Sequence, residues 1–437
     1  MSLWPFINVK GDILFKLNKV KKKIEKLSLE DATPFSNSFW EKNLRVYSTN
    51  VAKKHKESPS SVDLNWNLYG EFGVEISDSF DLISDVKVAV IDTGVIEHNE
   101  FNGKLLPGYD FISNDNLSFD GDGRDSDFSP NLSFSPSCGT EVQDLVSHGT
   151  HVTGIIVSEG TLENSNIGVS PGALILPVRA LGPCGGTLID VVESLLWVGG
   201  EVVDNTPVND NVVSVVNLSL GGPGKCPEAL QGALDILYSK GIVSVVAAGN
   251  SSMDLNKQSF FPANCERVIT VGATNIDGYI SDYSNYGDDV FFAPGGDSKK
   301  GIYSTVALEK DYINNNFGIM VGTSMAAPHV SGMVAHIKTN FPKLGYDSVE
   351  KVLKKSINDY GVLSYSELSE VLKSNEMIEL EKIEMKPATL NPDDDQQIAG
   401  CGSIDFGGRN NAQQINIISL IAGLLLFRLV NITHSKA

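Results

Sequence analysis

The chain has 437 residues, 41% of them hydrophobic and 20% charged, room for one large domain or two to three smaller ones with a real core, which excludes a disulfide-dependent miniprotein. Glycine (41) and proline (18) stand at ordinary globular levels, so the chain is neither collagenous nor wholly disordered. Against 54 acidic residues stand 34 Lys and Arg, a net charge of −20; such a field repels phosphate backbones and anionic lipid surfaces, which excludes nucleic-acid binding by the surface as a whole.

In chain order, the first feature is a basic segment. Residues 10–26 carry Lys10, Lys16, Lys19, Lys21, Lys22, Lys23 and Lys26, with Ile13, Leu14, Leu17, Val20, Ile24 and Leu27 at helical spacing, the pattern of a short amphipathic helix with a solvated lysine face. Met1 to Leu17 holds neither the continuous apolar stretch nor the small-residue cleavage site of an export signal. Residues 28–65 are polar and broken by Pro34 and Pro59, which suits a leader or linker better than a core.

The core is expected from residue 60. Val86 to Ile91 is a β-branched run with the look of a buried strand, ending at Asp92-Thr93-Gly94. Asp110 to Asp144 is rich in Asp, Ser, Gly and Pro and reads as a surface loop. Within it Asp120, Asp122, Asp125 and Asp127 form either a calcium-binding cluster or a solvated acidic turn. Ser147, as a cap ahead of a small and apolar run, predicts a helix from His148. Extended and helical patterns then alternate: 173–179 extended, 188–198 helical, 212–218 extended, 228–240 helical, 242–248 and 268–271 extended, and a helix from Gly322 to about Thr339 with Pro328 near its first turn. Alternation of this kind predicts an α/β fold with a mostly parallel sheet flanked by helices and functional groups at the strand ends.

Residues 347–376 read as helical and close the domain, and 377–400, with Pro387, Pro392 and Asp393 to Asp395, is a polar linker. The tail, 401–437, opens with Cys401-Gly402-Ser403 and carries an apolar run from Ile415 to Val430, shorter than the ~20 residues that span a bilayer. Cys138, Cys184, Cys226 and Cys265 have no Cys-x-x-Cys spacing for structural zinc, which leaves two disulfides or four buried thiols.

An Asp at a strand end, a His opening a helix and a Ser at the start of another helix are what acyl transfer needs: a nucleophile, a base that takes and returns its proton, and a carboxylate that orients the base. Val90-Ile91-Asp92-Thr93-Gly94, His148-Gly149-Thr150-His151-Val152 and Gly322-Thr323-Ser324-Met325-Ala326-Ala327-Pro328-His329-Val330 resemble, in this order, the three active-site blocks of subtilisin-like serine proteases, over roughly residues 60–376. The resemblance implies a three-layer αβα subtilisin-like fold, a catalytic domain over 60–376, a leader or propeptide remnant over 1–59, and Asp92, His148 and Ser324 as the triad. Val246 to Asn250 is similar to the block carrying the family's oxyanion asparagine, which implies that role for Asn250. Ser219-Leu220-Gly221 resembles the substrate-binding strand, which implies polypeptide substrates. His151 and His329 are expected to be structural, since one imidazole suffices for the proton transfers.

Catalysis needs no cofactor on this reading; family members often bind structural calcium, for which Asp120, Asp122, Asp125 and Asp127 are the candidates. The cysteines, by similarity to exported bacterial relatives, pair as Cys138 with Cys184 and Cys226 with Cys265. The tail resembles C-terminal sorting signals of some Gram-negative bacteria, which implies export or sorting machinery as a partner and an extracytoplasmic, secreted or cell-surface location, against the plainer reading of a membrane-associated helix. A monomeric serine endopeptidase is the expectation. Its alternatives are a non-catalytic surface binding protein on a protease scaffold and a narrow maturation protease.

Overall fold

The computed structural model describes residues 45–48, 64–76, 84–131, 147–161, 167–183, 185–306, 316–374 and 377, the first of these segments by its backbone alone. All lie in one compact unit, Met1–Lys386. Apart from β1 (Arg45–Ser48), the strands are β2 (Lys87–Asp92), β3 (Tyr109–Asp110), β4 (Leu174–Arg179), β5 (Gly186–Thr187), β6 (Val215–Leu218), β7 (Leu220–Pro223), β8 (Val243–Ala247), β9 (Phe260–Phe261), β10 (Val268–Thr274), β11 (Val290–Pro294), β12 (Ile302–Val306) and β13 (Asn316–Met320). The main helices are α1 (His148–Val157), α2 (Leu188–Val198), α3 (Glu228–Ser239), α4 (Thr323–Asn340), α5 (Tyr346–Lys355) and α6 (Tyr365–Leu372).

Valine and isoleucine runs build the central sheet because successive side chains point to opposite faces and both faces are covered. Val88 and Val90 enter one core with Val152 and Ile155 of α1 and Val330 and Val334 of α4. Ala89 and Ile91 enter another with Leu195 of α2 and Leu234 of α3. Each fully buried aliphatic side chain contributes on the order of 1.5–3 kcal/mol. The result is the expected three layers around a seven-stranded sheet in the order β11-β10-β8-β6-β2-β4-β3, parallel at every pairing. Parallel strands bring Asp92, Arg179, Ser219 and the turn after β8 to one edge, the C-terminal one, where α1 and α4 also begin.

Several local features differ from the sequence reading. Ser147 stands ahead of α1 in helical conformation and makes no side-chain cap. The stretch read as helical from 347 forms two helices, α5 and α6, because Asn358 draws the amides of Tyr360 and Val362 onto its Oδ1 (3.1 Å each) and Gly361 turns the chain at φ 80°. Pro328 lies in the second turn of α4. The N–H it lacks would have bonded the Ser324 carbonyl; the Ser219 hydroxyl donates there instead, at 2.9 Å.

The β12–β13 hairpin, not foreseen, holds α1 in place. Ser304 and Thr305 donate to the His151 and Thr150 carbonyls, 2.9 Å each, and a Cβ at Gly154 would come within 2.3 Å of Thr305 Oγ1. Cys226 and Cys265 form a disulfide with Cα atoms 5.1 Å apart. Closing a loop of that length limits the unfolded chain by about 4 kcal/mol in the entropic description. Cys138, Cys184, Cys401 and the tail lie outside the described residues. Among the described residues no helix is long and apolar enough to cross a membrane.

Candidate active site

Asp92 ends β2 with its carboxylate fully buried. Its Oδ1 accepts the Thr93 amide (2.7 Å) and His148 Nδ1 (2.7 Å), both across buried contacts. Since carboxylate oxygen only accepts, Nδ1 carries the proton and Nε2 is left with its lone pair. His148 Nε2 is buried and has no hydrogen-bond partner among the described residues. The first turn of α1 can lie this close to β2 because position 149 is glycine: a Cβ there would meet the Gly94 carbonyl at 2.3 Å. The Gly149 amide donates to Thr93 Oγ1 at 3.1 Å, tying the Asp92 turn to the helix that carries His148.

Ser324 is the second residue of α4. Its hydroxyl donates to the Ser219 carbonyl at 3.0 Å. Ser219 is itself fixed by a buried relay: Ser331 donates to Asn217 Oδ1 (2.8 Å), Asn217 Nδ2 donates to Ser219 Oγ (2.9 Å), and that hydroxyl bonds the Ser324 carbonyl.

Asn250 follows β8, and its amide orientation is set from α4. The Thr323 amide and hydroxyl both donate to Asn250 Oδ1, at 3.0 and 2.9 Å. With its oxygen engaged, Nδ2 faces the other way and has no hydrogen-bond partner among the described residues. A buried donor without an acceptor costs roughly 1–3 kcal/mol, a cost that a negatively charged oxygen at that spot would remove. Thr323 was not singled out by the sequence reading; its place directly before Ser324 was the available signal.

The expected substrate strand is β7, with Ser219 at its entrance. Gly221 admits no side chain, since a Cβ would lie 2.5 Å from the Phe260 ring. On the other side of a channel stands β5. Between them runs β1, antiparallel to both: Arg45 and Val46 pair with Thr187 and Gly186, Tyr47 and Ser48 with Gly221 and Leu220. A stretch of this chain's own backbone therefore lies between the two strand edges, a role that a polar leader gave no reason to expect.

His151 and His329 are fully buried. Burial, with the neighbouring His148 adding to it, lowers His151 to about 3, and burial lowers His329 to about 4. His151 Nε2 donates to the Ile302 carbonyl at 3.0 Å. His329 donates through Nδ1 to the Met325 carbonyl (2.7 Å) and accepts from Asn67 at Nε2 (2.8 Å). Both are neutral wedges in the core.

Each of the loop aspartates Asp120, Asp125 and Asp127 bonds a neighbouring group of the chain. Asp120 is held by Arg179, which also pairs with Asp110, and by the Ser118 hydroxyl. Burial raises Asp120, but the Ser118 and Arg179 contacts outweigh it and hold it at about 2. Asp125 accepts the Asp127 amide (2.7 Å) and Asp127 the Ser129 amide (3.0 Å), while Asp122 is exposed. No group of three or more His, Cys, Asp or Glu side chains among the described residues is arranged to hold a metal ion. In the structure a guanidinium faces Asp120 and neighbouring amides bond Asp125 and Asp127; the calcium reading of these residues rests on the sequence.

Comparison with known proteins places this geometry among peptidases. The chain is 37% identical over 282 residues to an extracellular basic protease of Dichelobacter nodosus, covering 62% of this chain and 46% of that one. It is 38% identical over 281 residues to an extracellular protease of Xanthomonas campestris, covering 62% and 47%. It thus spans about half the length of these relatives. A solved protease structure from Pseudoalteromonas arctica, 34% identical, superposes with a TM-score of 0.65 over 71% of this chain and 97% of that one. The family description that matches, over residues 84–374, is the subtilase family, peptidase S8, and with the parallel sheet and the arrangement at its C-terminal edge, the chain belongs to the subtilase family.

Proposed function

We propose that the protein is an extracytoplasmic serine endopeptidase that cuts extended polypeptides through an acyl-enzyme. The observation that carries this reading is the peptide backbone of residues 45–48 seated antiparallel between β5 and β7, in a channel whose β7 wall adjoins Ser219, the residue that the Ser324 hydroxyl bonds. Continuing that register by one step brings a substrate residue opposite Ser219, whose carbonyl accepts the Ser324 hydroxyl at 3.0 Å. That residue's carbonyl is the one to be attacked.

The Ser324 hydroxyl turns from the Ser219 carbonyl to His148 Nε2, gives up its proton there, and its oxygen bonds to the carbonyl carbon. Asp92 keeps the imidazole in the tautomer that has Nε2 free and stabilises the imidazolium. The oxygen that becomes negative is met by Asn250 Nδ2 and by the Ser324 amide in the first turn of α4, where N–H groups lack intrahelical acceptors. The C–N bond breaks as His148 passes its proton to the leaving amine. Water then attacks the ester with His148 as base, and the acid and the serine are regenerated. The amine carries away the proton that Ser324 gave up, water supplies its replacement and the hydroxyl of the new acid, and the enzyme is restored with no cofactor in the balance.

A fluorophosphonate, which reacts only with an activated serine, tests the reading. One adduct on Ser324 by peptide mapping is the expected result, absent from His148→Ala; a folded wild-type chain that takes up no label would overturn it. The pH dependence is equally specific. Because burial lowers His151 and His329 to about 3 and 4, neither changes charge between pH 5 and 9. His151→Gln and His329→Gln are expected to leave the acid limb of kcat/KM where wild type has it, whatever fraction of each variant folds. A shifted limb in either would assign the titrating base to the wrong histidine. The leader apart from β1 and the tail from Cys401 lie outside the described residues; their readings as propeptide remnant and sorting signal rest on sequence.

A further inference from the structure

The acidic loop is fastened to α2 through Arg124, and the fastening reaches the peptide channel. Arg124 projects from that loop, its side chain 19% exposed, onto two carboxylates in the first turns of α2, Asp190 at 0% and Glu193 at 5%. Its Nη2 donates to Asp190 Oδ1 at 2.7 Å and its Nη1 to Glu193 Oε2. Its Nε donates to the Phe111 carbonyl at 2.8 Å, and the guanidinium lies 5.5 Å from the Phe111 ring centre. Every nitrogen of the guanidinium is committed, a rigid planar arrangement that lysine does not reproduce.

Asp190 is not an end point. Its other oxygen accepts the Thr187 hydroxyl at 2.6 Å, and its amide donates back to Thr187 Oγ1 at 3.2 Å, a reciprocal cap at the start of α2. Thr187 is also the last residue of β5, the strand that faces Arg45 and Val46 across the channel. Gly186 beside it packs directly on the Ala180 backbone, since a Cβ there would meet the Ala180 carbonyl at 2.2 Å. The position of this channel wall is thus set by Thr187, that of Thr187 by Asp190, and that of Asp190 by Arg124. Burial pushes the Asp190 carboxyl above its ordinary range, while Thr187 and Arg124 pull it back down. Removing the guanidinium takes its positive charge away from two buried carboxylates three residues apart.

We propose that Arg124 is a positioning residue for the substrate: through Asp190 and Thr187 it holds the β5 edge at the distance at which an extended peptide bonds both walls of the channel. The proposal rests on the peptidase reading above and adds to it a dependence on substrate length. In the register of β1, the residues opposite β7 come next to the cut bond, and those opposite β5 lie further back. A substrate with two residues before the cut bond touches only the β7 side; one with five reaches β5.

The experiment compares two chromogenic peptide amides with the same leaving group, one with two residues before the cut and one with five, on the full chain. For Arg124→Gln, KM for the longer peptide is expected to rise at least tenfold at unchanged kcat, with kcat/KM for the shorter peptide within twofold of wild type. Arg124→Lys, which keeps the charge and one ionic contact, is expected to fold and to show the same split at smaller size; it carries the test if Arg124→Gln does not fold. An equal loss on both peptides, or no change on the longer one, would overturn the proposal. If wild type cleaves neither peptide and takes no fluorophosphonate, the peptidase reading fails and this inference with it. A labelled wild type with no length-dependent split defeats the inference alone.

Discussion

Ser324→Ala is expected to lower kcat for peptide hydrolysis by a factor on the order of 10⁶, the size of the loss in subtilisin itself, from which this magnitude is taken. The substitution removes one oxygen. In the resting structure that hydroxyl donates to the Ser219 carbonyl at 3.0 Å, and such a bond contributes roughly 0.5–1.5 kcal/mol net. The backbone of Ser324 keeps its bond from Ser219 Oγ, so the start of α4 keeps its place. Stability and peptide affinity should therefore change little while turnover disappears. Circular dichroism, binding of a non-cleaved peptide and steady-state hydrolysis on the same sample make the comparison. A variant that keeps more than a few per cent of wild-type kcat would move the nucleophile elsewhere.

Asn250→Asp should lower kcat at least 10²–10³-fold, about 2.7–4 kcal/mol, the range known for loss of a single oxyanion donor in subtilisin. Asp keeps an oxygen where Thr323 donates its amide and hydroxyl at 3.0 and 2.9 Å, so the support for the side chain survives. At the other position an acceptor replaces the donor, and a negative charge meets the oxygen that becomes negative. Asn250→Ala should lose as much of the turnover that depends on the amide but also stability, by roughly 1–3 kcal/mol, because the two Thr323 donors lose their acceptor. The pair separates chemistry from scaffolding: equal kcat losses with unequal melting temperatures are expected. Near-wild-type kcat in Asn250→Asp would remove Asn250 from the mechanism.

What could be read from the sequence, and what could not, follows from the range of the forces involved. β2, β4, β6, β8 and β10 announce themselves because strands covered on both faces must be apolar throughout, and α1 and α4 because their first residues sit in recognisable blocks. The position of β1 had no such announcement. It is held by main-chain bonds to β5 and β7, which any sequence without proline at the bonding positions can make, so residues 45–48 look like linker. The acidic loop stayed ambiguous for the opposite reason. Aspartates at alternate positions suit a cation, but they also suit turns in which each carboxylate takes an amide two residues on, as Asp125 and Asp127 do. Only the fold shows that Arg179, 59 positions along the chain, reaches Asp120. The pinning of Asn250 by Thr323, 73 positions apart, was hidden by the same distance.

The placement of β1 has a kinetic consequence. An occupant joined to its own channel competes at an effective concentration that for short flexible tethers is of millimolar order. A free peptide at micromolar concentration is then outnumbered about a thousandfold. On the intact chain a peptide competes only as its concentration approaches the millimolar range, and below that the first turnover is governed by how often the strand peels away, a local opening event. Once that segment is severed and diluted into the surroundings, the competitor drops to the concentration of the protein itself. Such a loss is one-way, since a severed segment does not regain its tether.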